Sequence, residues 1–131
     1  MTRFVVDAGA VIQVLTDGVA VAPQHELLAP TLLRSQVLSL LHEAVHRGDV
    51  PSNVARDRLA AFNRLPIRLL GDAVLRRRAW EIADRLGWPS TYDAEYVALT
   101  QLQANALVTL DADLARSIKG MIEIASIDAL R

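Results

Sequence analysis

The chain contains no cysteine, which excludes disulfides and thiolate chemistry. Lysine is nearly absent as well: 13 of the 14 basic residues are arginine, and Lys119 is the single exception. Arginine supplies planar forks suited to phosphate, but an Arg-, Ala- and Leu-rich mixture is also what a GC-rich genome encodes. No apolar run approaches a membrane span, and the N-terminus lacks the charged, apolar and cleavage regions of a signal peptide. The expectation is a soluble, cytoplasmic protein without membrane association. No repeat, low-complexity tract or linker divides the sequence, so residues 1–131 read as a single domain. No GxGxxG follows the first apolar run, which removes a dinucleotide fingerprint. No HExxH surrounds His42 and His46, and with His25 they make no metal-ligand set. A net charge of −1 exerts no global pull toward nucleic acid.

What is present is enough apolar material for a real core, at 52% hydrophobic residues in 131. Phe4–Val6 is a short apolar run ending in Asp7, and Ala8–Leu15 reads as a helix. Leu27–Ala29 is a strand candidate, and Pro30 suits the first turn of a helix. Leu33, Val37, Leu40, Leu41 and Val45 recur at helical spacing, predicting an amphipathic helix over Thr31–Arg47 that ends at Gly48. A second helix starts at Pro51 or Ser52 and runs to about Leu65, with Val54, Leu59 and Phe62 on its apolar side. Ile67–Leu70 is a strand. Asp72 caps a helix whose buried side is Val74, Leu75, Ala79, Ile82, Ala83 and Leu86, closed by Gly87. Tyr92 or Asp93 opens a helix to about Gln103; Ala106–Leu110 and Ile122–Ala125 are strands with a short helix between them. The order β-α-β-α-α-β-α-α-β-α-β implies an α/β fold, with parallel strands covered by helices on both sides.

The position of the acids matters more than their number. Asp7 and Asp111 each stand at the carboxyl end of a strand, and in a parallel sheet those ends share one edge. Asp93 begins a helix that starts from the same edge. Each has a structural role open to it: all three acids, or Asp113 in place of Asp111, could simply cap a helix. Caps alone do not require one shared edge. Converging carboxylates repel unless a cation lies among them. Magnesium suits such a site, because it accepts one or two carboxylates, keeps waters and takes phosphate oxygens. Bound there, it can polarise a phosphodiester and lower the pKa of an attacking water. A phosphoacceptor receiver domain also places acids at strand ends, but it expects an acidic pair after the first strand, and here Asp7 is followed by Ala8.

At these residues the chain resembles the PIN-domain family, in particular the VapC-type ribonuclease toxins of toxin–antitoxin pairs. Phe4-Val5-Val6-Asp7-Ala8 is similar to the family's opening strand and first acid. Ala29–Val37 is similar to its second segment, Thr91–Leu99 to its third with Asp93, and Leu107-Val108-Thr109-Leu110-Asp111 to the closing Thr-x-Asp. The resemblance covers nearly the whole chain and implies a three-layer α/β/α fold around a parallel sheet of about four or five strands. It implies a metal-dependent endoribonuclease, with Mg²⁺ or Mn²⁺ held by Asp7, Asp93 and Asp111. Gln36 takes the second catalytic position, normally an acid, and Thr109 and Asp113 support the site. It also implies an RNA substrate, a homodimer and a small VapB-like antitoxin.

Two departures stand out. The family's second acid is normally Glu, and this chain has Gln36, which keeps the shape but removes a negative charge. Gly9 stands where the family often has Ser or Asn. Gln36 fits an active enzyme of lowered metal affinity, a PIN-fold binding module that keeps only its antitoxin contacts, or an engineered Glu→Gln change. Glu43, two helical turns on, lies about 10 Å too far along the axis to substitute. Arg116 and Lys119, just past Asp111, are the candidates for RNA contact. Consecutive Arg76, Arg77 and Arg78 point around their helix and read mainly as solvated surface, and Trp80 and Trp88 as packing residues.

Overall fold

The computed structural model describes all residues from Met1 to Arg131. Its centre is a sheet of five strands: β1 (Arg3–Val6), β2 (Glu26–Pro30), β3 (Ile67–Leu70), β4 (Ala106–Val108) and β5 (Ile124–Ala125). They lie in the order β3-β2-β1-β4-β5, and every neighbouring pair is parallel. The three central strands are short and almost wholly apolar because helices cover them on both faces; Phe4–Val6, Leu27–Pro30 and Ala106–Val108 are all buried. An α/β architecture with parallel strands is therefore what the sequence pattern folds into.

Six α-helices surround the sheet: α1 (Ala8–Asp17), α2 (Leu33–His46), α3 (Ser52–Arg64), α4 (Ala73–Leu86), α5 (Tyr92–Gln103) and α6 (Ala112–Ser117). Helix α5 lies against β1, β2 and β4 and buries Ala94 and every residue from Tyr96 to Thr100. Helix α4 packs on α5, while α2 packs on α1 and α3. The Asp72 side chain accepts the Leu75 N–H at 2.9 Å to cap α4, and Gly87 closes that helix at φ 71°, a left-handed conformation that favours glycine. No helix is long and apolar enough to cross a membrane.

The strand order positions the site. The chain steps from β1 outward through β2 to β3, then returns to the other side of β1 for β4 and β5. The direction of winding reverses between β1 and β4, and the carboxyl ends of these two strands flank the crevice where open α/β sheets take ligands. Val6 pairs with Val108, and the Asp7 N–H donates to the Val108 carbonyl at 3.3 Å. The opposite edge is closed by pairing: Glu26 accepts from Arg3 Nε at 3.1 Å and Arg68 Nη1 at 3.2 Å.

Several boundaries differ from expectation. Pro30 belongs to β2, opposite Leu70, and the Thr31 N–H donates to the Leu70 carbonyl, so α2 starts only at Leu33. Val74, one residue off the buried stripe of Leu75, Ala79 and Ile82, is 53% exposed. Trp80 is not a packing residue, at 67% exposed on the outer side of α4, whereas Trp88 does pack against the core. The last strand shrinks to Ile124–Ala125, because Ile122 joins only an isolated bridge with Lys119. A 3-10 turn at Ile127–Leu130 was not anticipated; it buries Leu130, whose carbonyl accepts the Ala22 N–H at 2.8 Å.

Candidate functional site

Asp7 is the most enclosed of the acids. It follows β1 directly, and its Oδ1 accepts the Ala10 N–H at 2.9 Å, capping α1. The cap uses Oδ1, and the Thr109 hydroxyl is a second donor to the same carboxylate. Burial raises the Asp7 pKa above the ordinary carboxylate value, the Thr109 hydroxyl and the Ala10 N–H pull it back, and the charges of Asp93 and Asp111 raise it again. Asp111 has the same double use. Its Oδ1 accepts the N–H groups of Asp113 and Leu114, both at 3.0 Å, to cap α6. The capping reading of these two residues and their place in an acidic cluster are thus compatible.

Asp93 is no cap. Thr91 holds the N-cap position of α5, without a side-chain hydrogen bond, and Asp93 sits in the first turn. Partial burial raises its pKa, and the charge of Asp111 raises it further. Three carboxylates from three separate segments are therefore close enough to repel one another. They are not gathered into a finished shell, since no group of three or more His, Asp or Glu side chains stands in a metal-holding arrangement. Hard carboxylate oxygens, part-buried and adding their charges to one another, are the donor set a divalent cation fits.

Thr109 connects two of these acids. It is buried, its hydroxyl stabilises ionised Asp7, and its Oγ accepts the Asp111 N–H at 3.1 Å. Gly9 leaves room here, because a Cβ at that position would stand 3.8 Å from Asp7 Oδ1, in ordinary contact. Asp113 does not join the cluster. It is exposed and pairs with Arg116 one helical turn on, so Arg116 is not a free cation either. Lys119 is exposed and makes no ion pair.

Gln36 reaches the site through a residue that sequence reasoning passed over. The Tyr96 hydroxyl donates to Gln36 Oε1 at 2.6 Å. Tyr96 is almost fully buried; burial first, then the charges of Asp7, Glu95 and Asp93, push its phenol above the ordinary value of 10. A tyrosine on the buried face of an amphipathic helix reads as core, so it carried no warning. The available signal was its spacing, three residues after Asp93 and hence on the same side of α5. Glu95 is a fourth acid at the margin, raised by burial and lowered by Arg76 nearby.

Asp93 and Asp111 are exposed, and Asp7 is half-buried beside them. A cleft of about 490 Å³, lined by Arg78, Glu81, Ile82, Arg85, Gln101 and Met121, contains none of them.

No protein-family model matches the chain. It is similar to ribonuclease VapC9 of Mycobacterium tuberculosis and to the VapC ribonuclease Mb0985 of Mycobacterium bovis, 35% identical to each over 114 residues. The match covers 85% of this chain and 87% of each relative. Among solved structures, PAE2754 from Pyrobaculum aerophilum superposes with a TM-score of 0.67 at 20% identity, covering 98% of this chain and 93% of that one. VapBC2 from Rickettsia felis, solved bound to a DNA fragment from their promoter, superposes with a TM-score of 0.65 at 11% identity, covering 95% and 98%. Those two likenesses concern the fold.

Proposed function

The chain belongs to the VapC family of PIN-domain ribonuclease toxins, and from that premise we propose a divalent-cation-dependent endoribonuclease whose site is Asp7, Asp93 and Asp111, weakened by Gln36. The observation that carries this reading is the convergence of Asp7, Asp93 and Asp111 at the β1–β4 crevice, where burial and then the neighbouring charges raise the Asp7 and Asp93 pKa values. Asp7, Asp93 and Asp111 would hold Mg²⁺ or Mn²⁺, which supplies charge neutralisation at the phosphodiester and a more acidic water. The chain's own contribution is positional. Asp7 and Asp111 are each fixed by a helix cap, and Thr109 holds the first in its ionised form and anchors the backbone of the second. Lys119 is free to meet phosphate, while Arg116 must first leave Asp113.

Gln36 decides how well this works. An amide in place of a carboxylate removes one negative charge from the cation's surroundings. The loss is a few kcal/mol, on the order of tenfold to a thousandfold in occupancy. The second reading, a domain that only binds its antitoxin, draws on the same residue, because Gln36 Oε1 is already engaged by Tyr96. For partners, we propose a small VapB-like antitoxin laying a helix into the apolar groove between α2 and α3. That groove, about 260 Å³, is lined by Leu38, Leu41, Val45 and Leu59. We also propose a homodimer, for which exposed Val74 and Trp80 on α4 offer apolar surface.

The test is cleavage of a structured RNA by the purified chain in Mn²⁺. Slow cutting that EDTA stops and Asp93→Asn abolishes is the expected result. Cutting that persists in EDTA contradicts the cation, and no cutting by either this chain or Gln36→Glu leaves the binding module.

A further inference from the structure

The contact between Tyr96 and Gln36 says which end of the amide is held and which is left free. At 2.6 Å the separation is that of a strong O–H···O bond; an N–H···O contact runs nearer 2.9 Å. The partner of the phenol is therefore the amide oxygen. A phenol is protonated at neutral pH and donates more readily than it accepts, so it selects that oxygen over the NH₂ group. Tyr96 itself has no freedom to move away, since it is 2% exposed within the buried face of α5. The Gln36 NH₂ group makes no hydrogen bond to the protein, and it is not among the buried unpartnered atoms, so it reaches solvent.

We infer that Tyr96 is a positioning residue: its hydroxyl holds the Gln36 oxygen, so that side chain 36 offers the acidic site an N–H donor pair in place of a metal ligand. The inference rests on the cation site proposed above and sharpens what Gln36 does there. Substitution of Glu by Gln in this setting does more than remove charge. With Glu at 36, the same hydroxyl would take one carboxylate oxygen and leave the other as a ligand. With Gln at 36, the free end is a donor that no cation can use and that suits a non-bridging phosphate oxygen of RNA. The tyrosine that helps a glutamate ligate thus prevents a glutamine from doing so.

The consequence is a reversal of sign. Tyr96→Phe removes only a hydroxyl and conserves volume. In the Gln36 chain it frees the amide to rotate its oxygen toward the cation, and Mn²⁺ binding should tighten, by about threefold to tenfold, the worth of one hydrogen bond. In Gln36→Glu it removes an orienting hydrogen bond from a ligating carboxylate, and Mn²⁺ binding should weaken by about tenfold or more. The experiment is Mn²⁺ affinity by electron paramagnetic resonance for the four full-length proteins: the chain itself, Tyr96→Phe, Gln36→Glu and the double variant. A metal-free arm follows the Gln36 side-chain NH₂ signals by two-dimensional NMR, which Tyr96→Phe should shift, with melting temperatures as a check on folding. Opposite signs in the two backgrounds support the inference. Equal shifts in both, no shift in either, or NH₂ signals that do not respond to Tyr96→Phe overturn it. If no protein binds Mn²⁺, Gln36→Glu included, the cation site itself fails and the ligand role of side chain 36 goes with it. The NMR arm then still reports whether Tyr96 holds the amide.

Discussion

The Oγ of Thr109 accepts the backbone N–H of Asp111 at 3.1 Å, and the hydroxyl it belongs to holds Asp7 toward its ionised form. One buried side chain thus ties the ends of β1 and β4 together at the point where the sheet changes direction. Thr109→Val keeps the shape and deletes both functions. It should cost about 0.5–1.5 kcal/mol by chemical denaturation, because a part-buried N–H loses its acceptor. The Asp7 pKa, followed by carboxyl NMR, should rise further. An unchanged titration of Asp7 in Thr109→Val would remove the link between them.

The crowded acids make a pH prediction whose sign follows from their shifts. Asp7 and Asp93 both bind protons more tightly in the folded protein than at their ordinary value of 3.8. The folded state is therefore favoured by these groups below that value, and the benefit is lost as pH rises through the raised native values. At neutral pH without metal they destabilise. Asp7→Asn keeps a side-chain oxygen for the Ala10 N–H and removes the charge. Its melting temperature at pH 7 in EDTA should exceed that of the parent, with the difference shrinking as pH falls toward 4. A less stable Asp7→Asn at pH 7 in EDTA would mean that burying the Asp7 charge beside Asp93 and Asp111 costs the fold nothing.

Capping and ligand roles separate in a pair of variants. Asp72 and Asp111 cap α4 and α6 in the same way, but only Asp111 belongs to the cluster. Asp72→Ala should cost about 1 kcal/mol of stability and leave Mn²⁺ affinity as it was. Asp111→Ala should lower both. Equal effects on metal affinity would say that Asp111 acts through the helix alone.

A close approach at the neighbouring strand ends gives a test of the fold. A Cβ on Gly71 would come within 3.0 Å of Thr31 Oγ1 and 3.2 Å of its Cγ2. The Thr31 backbone is held by the hydrogen bond from its N–H to Leu70, so relief must come from rotation of its exposed side chain. Gly71→Ala should destabilise by about 1–2 kcal/mol, and Gly71→Ala combined with Thr31→Ser should recover part of that loss.

The architecture was legible because its signals are local and periodic. Short apolar runs of three to five residues, each followed by a helical stripe, specify parallel strands with covered faces. The order of elements from β1 to β5 was readable from them, as were the Asp72 cap and the bounds of α5. The convergence of Asp7, Asp93 and Asp111 was legible for the same topological reason. What escaped depends on tertiary contacts. Pro30 joined β2 because Leu70 pairs with it, and Trp80 is exposed because no element covers the outer side of α4. Asp93 proved to lie inside the first turn and not at the cap. Tyr96 escaped because sixty residues separate it from Gln36, and nothing in periodicity distinguishes a core tyrosine from one whose hydroxyl reaches a site.

The central claim is that side chain 36 and Asp7 act through one bound cation, and RNA cleavage rates for four proteins test it most directly. These are the chain itself, Gln36→Glu, Asp7→Asn and the double variant, each in Mn²⁺. The account predicts that Gln36→Glu raises the rate by about tenfold to a thousandfold, that EDTA abolishes the gain, and that Gln36→Glu adds nothing once Asp7 is Asn. A Gln36→Glu protein that cuts RNA no faster than the parent, or one that gains equally without Asp7, would contradict it.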